Sequence, residues 1–304
     1  MTRAGAGRDG ADGGPRCQHG GVADAIAPVP RRRPIAVFDS GVGGLTVLHE
    51  LLVALPAEDF LYLGDTARFP YGERSPEELE RFSLEIAEVL LRRRTKLLVV
   101  ACNSATAAAL PALQQRMMET TLGVDVIGVV GPESQLAVEA TRTGRIGLLA
   151  TPATVSSGAY ERAVHAADPL VELHAVSCPD LAPIIQGGFP FDQRVVDTTR
   201  AYCAPLREAE VDTVILGCTH YPLVAPMLQR TLGRGVQLIS AAAAVARRVE
   251  HALGVRGLAT DAMGEGAYRF LCTGDVETFR ALGTRFLQMP LGEIAHVDIA
   301  RVAA

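Results

Sequence analysis

Two thiols stand in matching settings. Cys102 follows an apolar run in Leu97-Leu-Val-Val-Ala-Cys102-Asn-Ser, and Cys218 does the same in Thr213-Val-Ile-Leu-Gly-Cys218-Thr-His. Asp39 ends a third apolar run, Ile35 to Phe38, and Asp65 follows a fourth, Phe60 to Leu63. Ligands of open α/β sheets bind beyond the carboxyl ends of the strands, so four reactive side chains share one expected rim. A thiol at a helix start beside polar donors is expected to ionise below the ~8.5 of a free cysteine. Two thiols on opposite sides of a substrate could move a proton at the carbon between them. A thiolate would remove an α-proton from one face and a thiol would return one to the other. Asp39 and His220 are the candidate acid–base partners that adjust the protonation of the pair. A lone strand-end cysteine is usually an inert small apolar residue; the repeated context argues against that here. Cys178, Cys203 and Cys272 lack such polar turns and read as structural, and Cys17 lies in the N-terminal tail.

Other chemistries use less of the pattern. Cys218-x-His220 offers two metal ligands, but no Cys-x-x-Cys or His-x-x-x-His pair completes a zinc site, so no metal is expected. A cysteine hydrolase, with Cys102 or Cys218 as nucleophile and His220 as base, leaves the second thiol idle. Asp39-Ser-Gly-Val-Gly-Gly44 resembles a phosphate loop at a strand-to-helix turn. It lacks the Gly-Lys-Ser/Thr of a nucleotide-binding loop, and its glycines do not fit the dinucleotide fingerprint. Its N–H groups, entering a helix over residues 45–55, could hold a ligand's carboxylate.

The elements that must position these groups follow from the apolar pattern. Strands are expected at Ile35–Phe38, Phe60–Leu63, Leu97–Ala101, Val124–Val129, Ile146–Ala150, Val171–Val176, Thr213–Leu216 and Val236–Ile239. Continuous apolar runs of this length suit parallel strands buried on both faces. Helical periods fall between them. The clearest runs from Pro76 to about Arg93, with Ser75 as N-cap, proline at the first helical position and Glu78 completing a capping box. This alternation predicts an α/β fold with mostly parallel sheets. The echo between the two cysteine segments, and a looser one between Ile35–Ser40 and Ile146–Thr151, predicts two pseudo-symmetric α/β lobes with the active site in the cleft between them. The expected division is a disordered tail over 1–33, a first lobe of 34–131 plus 240–304, and a second lobe of 132–239.

Composition narrows the class. A chain of 304 residues with 48% hydrophobic and 21% charged residues is that of a globular protein. No apolar run reaches membrane-spanning length, so no membrane partner is expected. The net charge of −5 argues against nucleic acid as a partner. Six cysteines are too few for a disulfide scaffold and fit a reducing cytoplasm. Lys96 is the only lysine. Set between an arginine run and an apolar strand, it reads as a solvated residue at a strand entrance rather than a Schiff-base lysine, so amino-acid chemistry here would proceed without pyridoxal phosphate. The first 33 residues are rich in Gly, Ala, Pro and Arg and show no hydrophobic period. No apolar stretch of signal-peptide length follows Arg31-Arg32-Arg33; the segment reads as a solvated tail, or as a start codon assigned too far upstream.

Four segments together resemble glutamate racemases of the aspartate/glutamate racemase superfamily. They are Phe38-Asp-Ser-Gly-Val-Gly-Gly44, Gly64-Asp-Thr-Ala-Arg-Phe-Pro-Tyr-Gly72, Ala101-Cys-Asn-Ser-Ala-Thr106 and Leu216-Gly-Cys-Thr-His-Tyr-Pro222. The resemblance covers about Pro34 to Ile239 well and the C-terminal stretch less well. It implies two pseudo-symmetric lobes and a cofactor-independent, two-base interconversion of L- and D-glutamate, supplying D-glutamate for peptidoglycan. Cys102 would act on the D-enantiomer and Cys218 on the L-enantiomer, helped by Asp39 and His220. Substrate contacts would come from Asp39, Ser40, Tyr71, Gly72, Asn103, Ser104, Thr219 and His220. A homodimer is a possible assembly. The rival readings are a racemase of aspartate or another acidic amino acid, and a non-catalytic paralogue that binds a partner protein. The chain departs from the family pattern at four places. Ser104 stands for threonine, Gln186 for a glutamate near the second cysteine, Ser240-Ala-Ala-Ala for an Asp-Ser-Gly-like segment, and Pro132-Glu133-Ser134 for Pro-Gly-Ala.

Overall fold

Strand β1 (Ile35–Asp39) shows how the central sheet is built. Its alternate residues enter different cores. Ile35 and Val37 pack into one, and Ala36 and Phe38 into another on the opposite face. A strand covered on both faces has no use for polar alternation, and that is why the run is continuously apolar. The computed structural model describes residues 30–120, 123–187 and 193–299. Its first sheet contains β1, β2 (Phe60–Gly64), β3 (Leu97–Val100), β4 (Asp125–Gly128), β9 (Tyr268–Cys272) and β10 (Ile294–His296), in the order β10-β9-β2-β1-β3-β4. A second sheet contains β5 (Arg145–Ala150), β6 (Glu172–Ser177), β7 (Thr213–Gly217) and β8 (Gln237–Ile239), in the order β6-β5-β7-β8. Every described strand pair is parallel.

The α/β expectation holds, and the repeat is visible in the strand order. The set β2-β1-β3-β4 matches β6-β5-β7-β8 position for position. The cysteine strands β3 and β7 are equivalent, and so are β1 and β5. The first sheet gains β9 and β10 from the C-terminal stretch, where sequence patterning indicates no strand. These two lie at the edge beyond β2, and β9 pairs with β2 along its whole length, from Phe60↔Tyr268 to Gly64↔Cys272. The chain passes between the sheets through two helices, Val130–Ala140 and Ala241–Arg256, which pack on each other. One core runs continuously from a face of the first sheet into the second.

Local signals are obeyed where they are strong. Helix Pro76–Arg92 carries the full capping box: the Glu78 N–H donates to Ser75 Oγ, and the Ser75 N–H donates to Glu78 Oε2, each at 3.2 Å. Two expectations change. Lys96 is fully buried rather than solvated. Its Nζ lies 2.5 Å from Glu58 Oε2 and also donates to the carbonyls of Arg31 and Leu258. An ammonium can be buried only when its protons are all engaged, and these three acceptors engage them. The site lies at the entry end of β3, opposite the end that carries Cys102. The disordered-tail expectation for 1–33 falls outside the described residues up to 29. Residues 30–33 are described, and the Arg31 carbonyl helps hold Lys96, so the folded unit begins a few residues before Pro34. No described helix is long and apolar enough to cross a membrane.

Candidate active site

The exit ends of both sheets face one cleft. It is lined by Ser40, Tyr71, Gly72, Cys102, Asn103, Ser104, Cys218, Thr219 and His220, together with Phe69, Pro70, Glu73, Thr151, Pro179, Ala182 and Pro183. The cleft thus brings together every site residue expected from sequence except Asp39. Cys102 is the N-cap of helix Asn103–Glu119, and Cys218 stands in the turn after β7, before the short helical turn Tyr221–Val224. Both are almost fully buried.

Asp39 lies behind the wall, with no exposed surface. Its Oδ2 accepts from the Gly41 N–H at 2.9 Å and its Oδ1 from the Thr219 hydroxyl at 3.3 Å. Backbone bonds from Gly44 and Ser40 complete the shell. The Gly-rich turn therefore wraps its own carboxylate. The N–H groups expected to hold a ligand are engaged by Asp39 and by local turn carbonyls. Burial raises the Asp39 pKa, and these bonds offset part of the rise. The turn also needs its glycine at 43. A Cβ there would meet Thr219 Oγ1 at 2.3 Å and His220 Nδ1 at 2.6 Å. The first unit's turn is thus pressed directly against the second unit's Cys-Thr-His segment.

The thiols differ from the sequence expectation. Burial pushes Cys102 up to about 12, with the Asp39 charge adding to the rise and bonds from Ala105 and Ser40 opposing it. Burial also raises Cys218 well above the usual thiol range; the His220 N–H lowers it, and the charges of Cys102 and Asp39 raise it again. Helix-start donors are present as expected, but desolvation outweighs them. Both shifts favour the thiol over the thiolate at neutral pH.

His220 joins the second thiol to a residue that departs from the family pattern. Its Nδ1 lies 3.8 Å from Cys218 Sγ, and its Nε2 lies 2.9 Å from Gln186 Oε1. An amide oxygen can only accept, so Nε2 carries the proton and the Nδ1 lone pair faces the thiol. Phe69 and Phe286 pack on the imidazole with ring centroids 5.7 and 5.2 Å away. This dry setting lowers the His220 pKa to about 3. Gln186 thus sits beside the His220 ring and supplies no charge there.

The remaining wall is knitted across the two units. Ser104 Oγ is 2.9 Å from Thr151 Oγ1 and 3.1 Å from Thr154 Oγ1. Gly72 packs against the same threonine: a Cβ would meet the Thr151 side chain at 2.9 Å, and the Gly72 carbonyl accepts from the Ala153 N–H at 2.8 Å. The Tyr71 hydroxyl donates to Asp65, which also accepts from Arg68 and Thr273. Asp65 therefore acts on the cleft through Tyr71 and does not line it. Sequence reading passes over Thr151 and Phe69 as site residues. Thr151 is legible as the residue following β5, the counterpart of Ser40 in the repeat; Phe69 carries no such signal.

A family model described as Asp/Glu/Hydantoin racemase matches residues 41–249, well over half of the chain. The chain belongs to this racemase family. Among its relatives, the glutamate racemase of Geobacter metallireducens is 43% identical over 267 residues, covering 88% of this chain and 97% of that protein. The crystal structure of glutamate racemase isoform RacE1 from Bacillus anthracis superimposes with a TM-score of 0.83 at 38% identity, covering 88% of this chain and 98% of that one. The glutamate racemase of Francisella tularensis, solved in complex with D-glutamate, gives a TM-score of 0.83 at 31% identity, with coverage of 89% and 99%. The two-lobe racemase fold of these family members is the architecture described above.

Proposed function

We propose that this family member interconverts L- and D-glutamate by a two-thiol mechanism that needs no cofactor. The observation that carries the reading is a single buried cleft flanked by two cysteines, each leaving the equivalent strand of one of two repeated sheets. With substrate between them, one thiolate takes the α-proton. The C–H bond breaks, an S–H bond forms, and the electron pair remains on the α-carbon beside the carboxylate. The opposite thiol then gives its proton to the other face and becomes the thiolate.

Burial of both thiols adds a requirement. At pH 7 a thiol held at about 12 is ionised in only about one molecule in 10⁵. The reactive thiolate therefore forms when substrate is bound, with its proton passed to a neighbour. Asp39 serves Cys102 and His220 Nδ1 serves Cys218 in this reading. Cys102 abstracts from D-glutamate and Cys218 from L-glutamate. Ser40, Tyr71, Gly72, Asn103, Ser104 and Thr219 hold the substrate, and a cytoplasmic enzyme of this kind, acting alone or as a homodimer, would feed D-glutamate into peptidoglycan synthesis.

The test is direct. Purified protein incubated with L-glutamate, without added metal or pyridoxal phosphate, should approach equal amounts of both enantiomers on chiral analysis. A parallel incubation with L-aspartate should stay largely unconverted. Conversion of aspartate alone, or loss of activity on chelation with recovery on adding metal, would overturn the reading.

A further inference from the structure

A buried carboxylate that has no part in the two-thiol mechanism stands one bond behind the cleft wall. Glu133 lies on the crossing helix Val130–Ala140, and Tyr160 on helix Ala159–Ala167; neither has exposed surface. The Tyr160 hydroxyl donates to Glu133 Oε2 at 2.5 Å. Asn103, which follows Cys102 and lines the cleft, donates its Nδ2 to Tyr160 Oη at 2.7 Å and to Glu133 Oε2 at 3.3 Å.

The consequence lies in the amide's orientation. An amide has two N–H donors on one side and an acceptor oxygen on the other, and a carboxylate accepts only. Turning the Asn103 oxygen toward Glu133 would set two acceptors against each other in a buried place. The two acceptors lie on the same side of Nδ2 and share one amide hydrogen, which fixes the way the amide faces and leaves Oδ1 as its acceptor for a ligand. We infer that Glu133 and Tyr160 are positioning residues that hold the Asn103 amide with its oxygen free to accept from the α-ammonium group of an amino-acid substrate. The inference rests on the glutamate reading above for its substrate class. Burial pushes Glu133 up to about 8, while the bonds from Tyr160 and Asn103 oppose the rise. The ionised form, which only accepts, sets the amide orientation; the neutral acid keeps the Oε2 acceptor only when its proton sits on Oε1.

The experiment is a double-mutant cycle on steady-state racemisation of both glutamate enantiomers. Glu133→Leu and Tyr160→Phe each remove part of the clamp, and each should raise KM about tenfold with a smaller change in kcat. Glu133→Gln keeps an acceptor oxygen and should hold KM within about threefold of wild type, even if Tm falls. In an Asn103→Ala background, Glu133→Leu and Tyr160→Phe should add almost nothing to KM, because the group they orient is gone. Full additivity in that background, or an unchanged KM with only a lower Tm, would overturn the inference. Should Glu133→Leu fail to fold, the Tyr160→Phe and Asn103→Ala cycle decides alone. An inactive wild-type protein would instead count against the glutamate reading, whereas active wild type with additive variants counts only against the clamp.

Discussion

The surroundings of Cys102 and Cys218 are built on the same four-strand plan and handle protons differently. Strands β3 and β7 occupy equivalent places, and the neighbours β1 and β5 end at Asp39 and at Ala150. Cys102 thus has a carboxylate at the end of the adjacent strand, whereas the corresponding place beside Cys218 holds only the Ala150 methyl group. Beside Cys218 stands His220 of its own turn, which faces it at 3.8 Å and is held from behind by Gln186. The repeat fixes where the thiols stand. It does not fix how each is served. In the proposed mechanism either enantiomer would be served by the Asp39 carboxyl group on one side and a neutral imidazole on the other.

The comparison breaks most sharply at the thiols. Cys102→Ala and Cys218→Ala should each lower racemisation by about 10³-fold or more, because each turnover uses an acid and a base. In deuterated water, Cys218→Ala should still exchange the α-proton of D-glutamate slowly without inversion, and Cys102→Ala that of L-glutamate. Proton NMR of the α-position with chiral analysis reads both. Near wild-type racemisation by either variant would discard the two-base assignment.

The next test concerns the unlike helpers. Asp39→Asn and His220→Asn should each reduce kcat/KM by about 10²-fold. The equilibrium constant of racemisation is one, so kcat/KM must fall equally in both directions. The asymmetry should appear in isotope effects. Asp39→Asn should raise the primary effect on α-deuterated D-glutamate, and His220→Asn that on the L-enantiomer. The same pattern in both variants would show that the helpers are not divided between the thiols.

A smaller effect is expected at Gln186. Gln186→Glu places an anion close to His220 Nε2, where the amide oxygen now lies at 2.9 Å. A carboxylate favours the imidazolium, so the His220 pKa should rise from its depressed value of about 3. Protonated His220 cannot accept from Cys218, and the acidic limb of the kcat/KM profile should therefore move to higher pH. Activity near neutrality should change by only about threefold, since most of the imidazole stays neutral there. An unmoved acidic limb would separate His220 from the titration that controls that limb.

The smallest effect on activity belongs to Lys96. Lys96→Met leaves Glu58 buried without its cation, a change that costs about 3 kcal/mol in comparable sites. Tm should fall clearly while KM and kcat stay near wild type, since the pair lies at the opposite end of β3 from Cys102. A large loss of kcat in the folded variant would show that the entry end of the sheet is coupled to the cleft.

The sequence by itself determined the scaffold and the location of the chemistry. Apolar runs buried on both faces suit interior parallel strands, and their ends are where such sheets bind ligands; that places Cys102, Cys218 and their neighbours without any coordinates. The capping box at Ser75 and Glu78 was legible because both of its bonds are local. Strands β9 and β10 escaped because β9 takes its pairing from β2, about 200 residues away in sequence, and the three-residue edge strand β10 pairs only with β9, so both carry little pattern of their own. Only the tertiary structure decided the electrostatics. Desolvation depends on what covers a group, and the same helix-start context that favours a thiolate in the open gives a buried thiol at about 12 for Cys102. The fold likewise supplied the Glu58 carboxylate that lets Lys96 be buried, the Thr219 hydroxyl that completes the shell of Asp39, and the Gln186 oxygen that sets the His220 tautomer. Each of these partners comes from another element of the chain, and burial of the pair, not its spacing in sequence, gives the contact its strength.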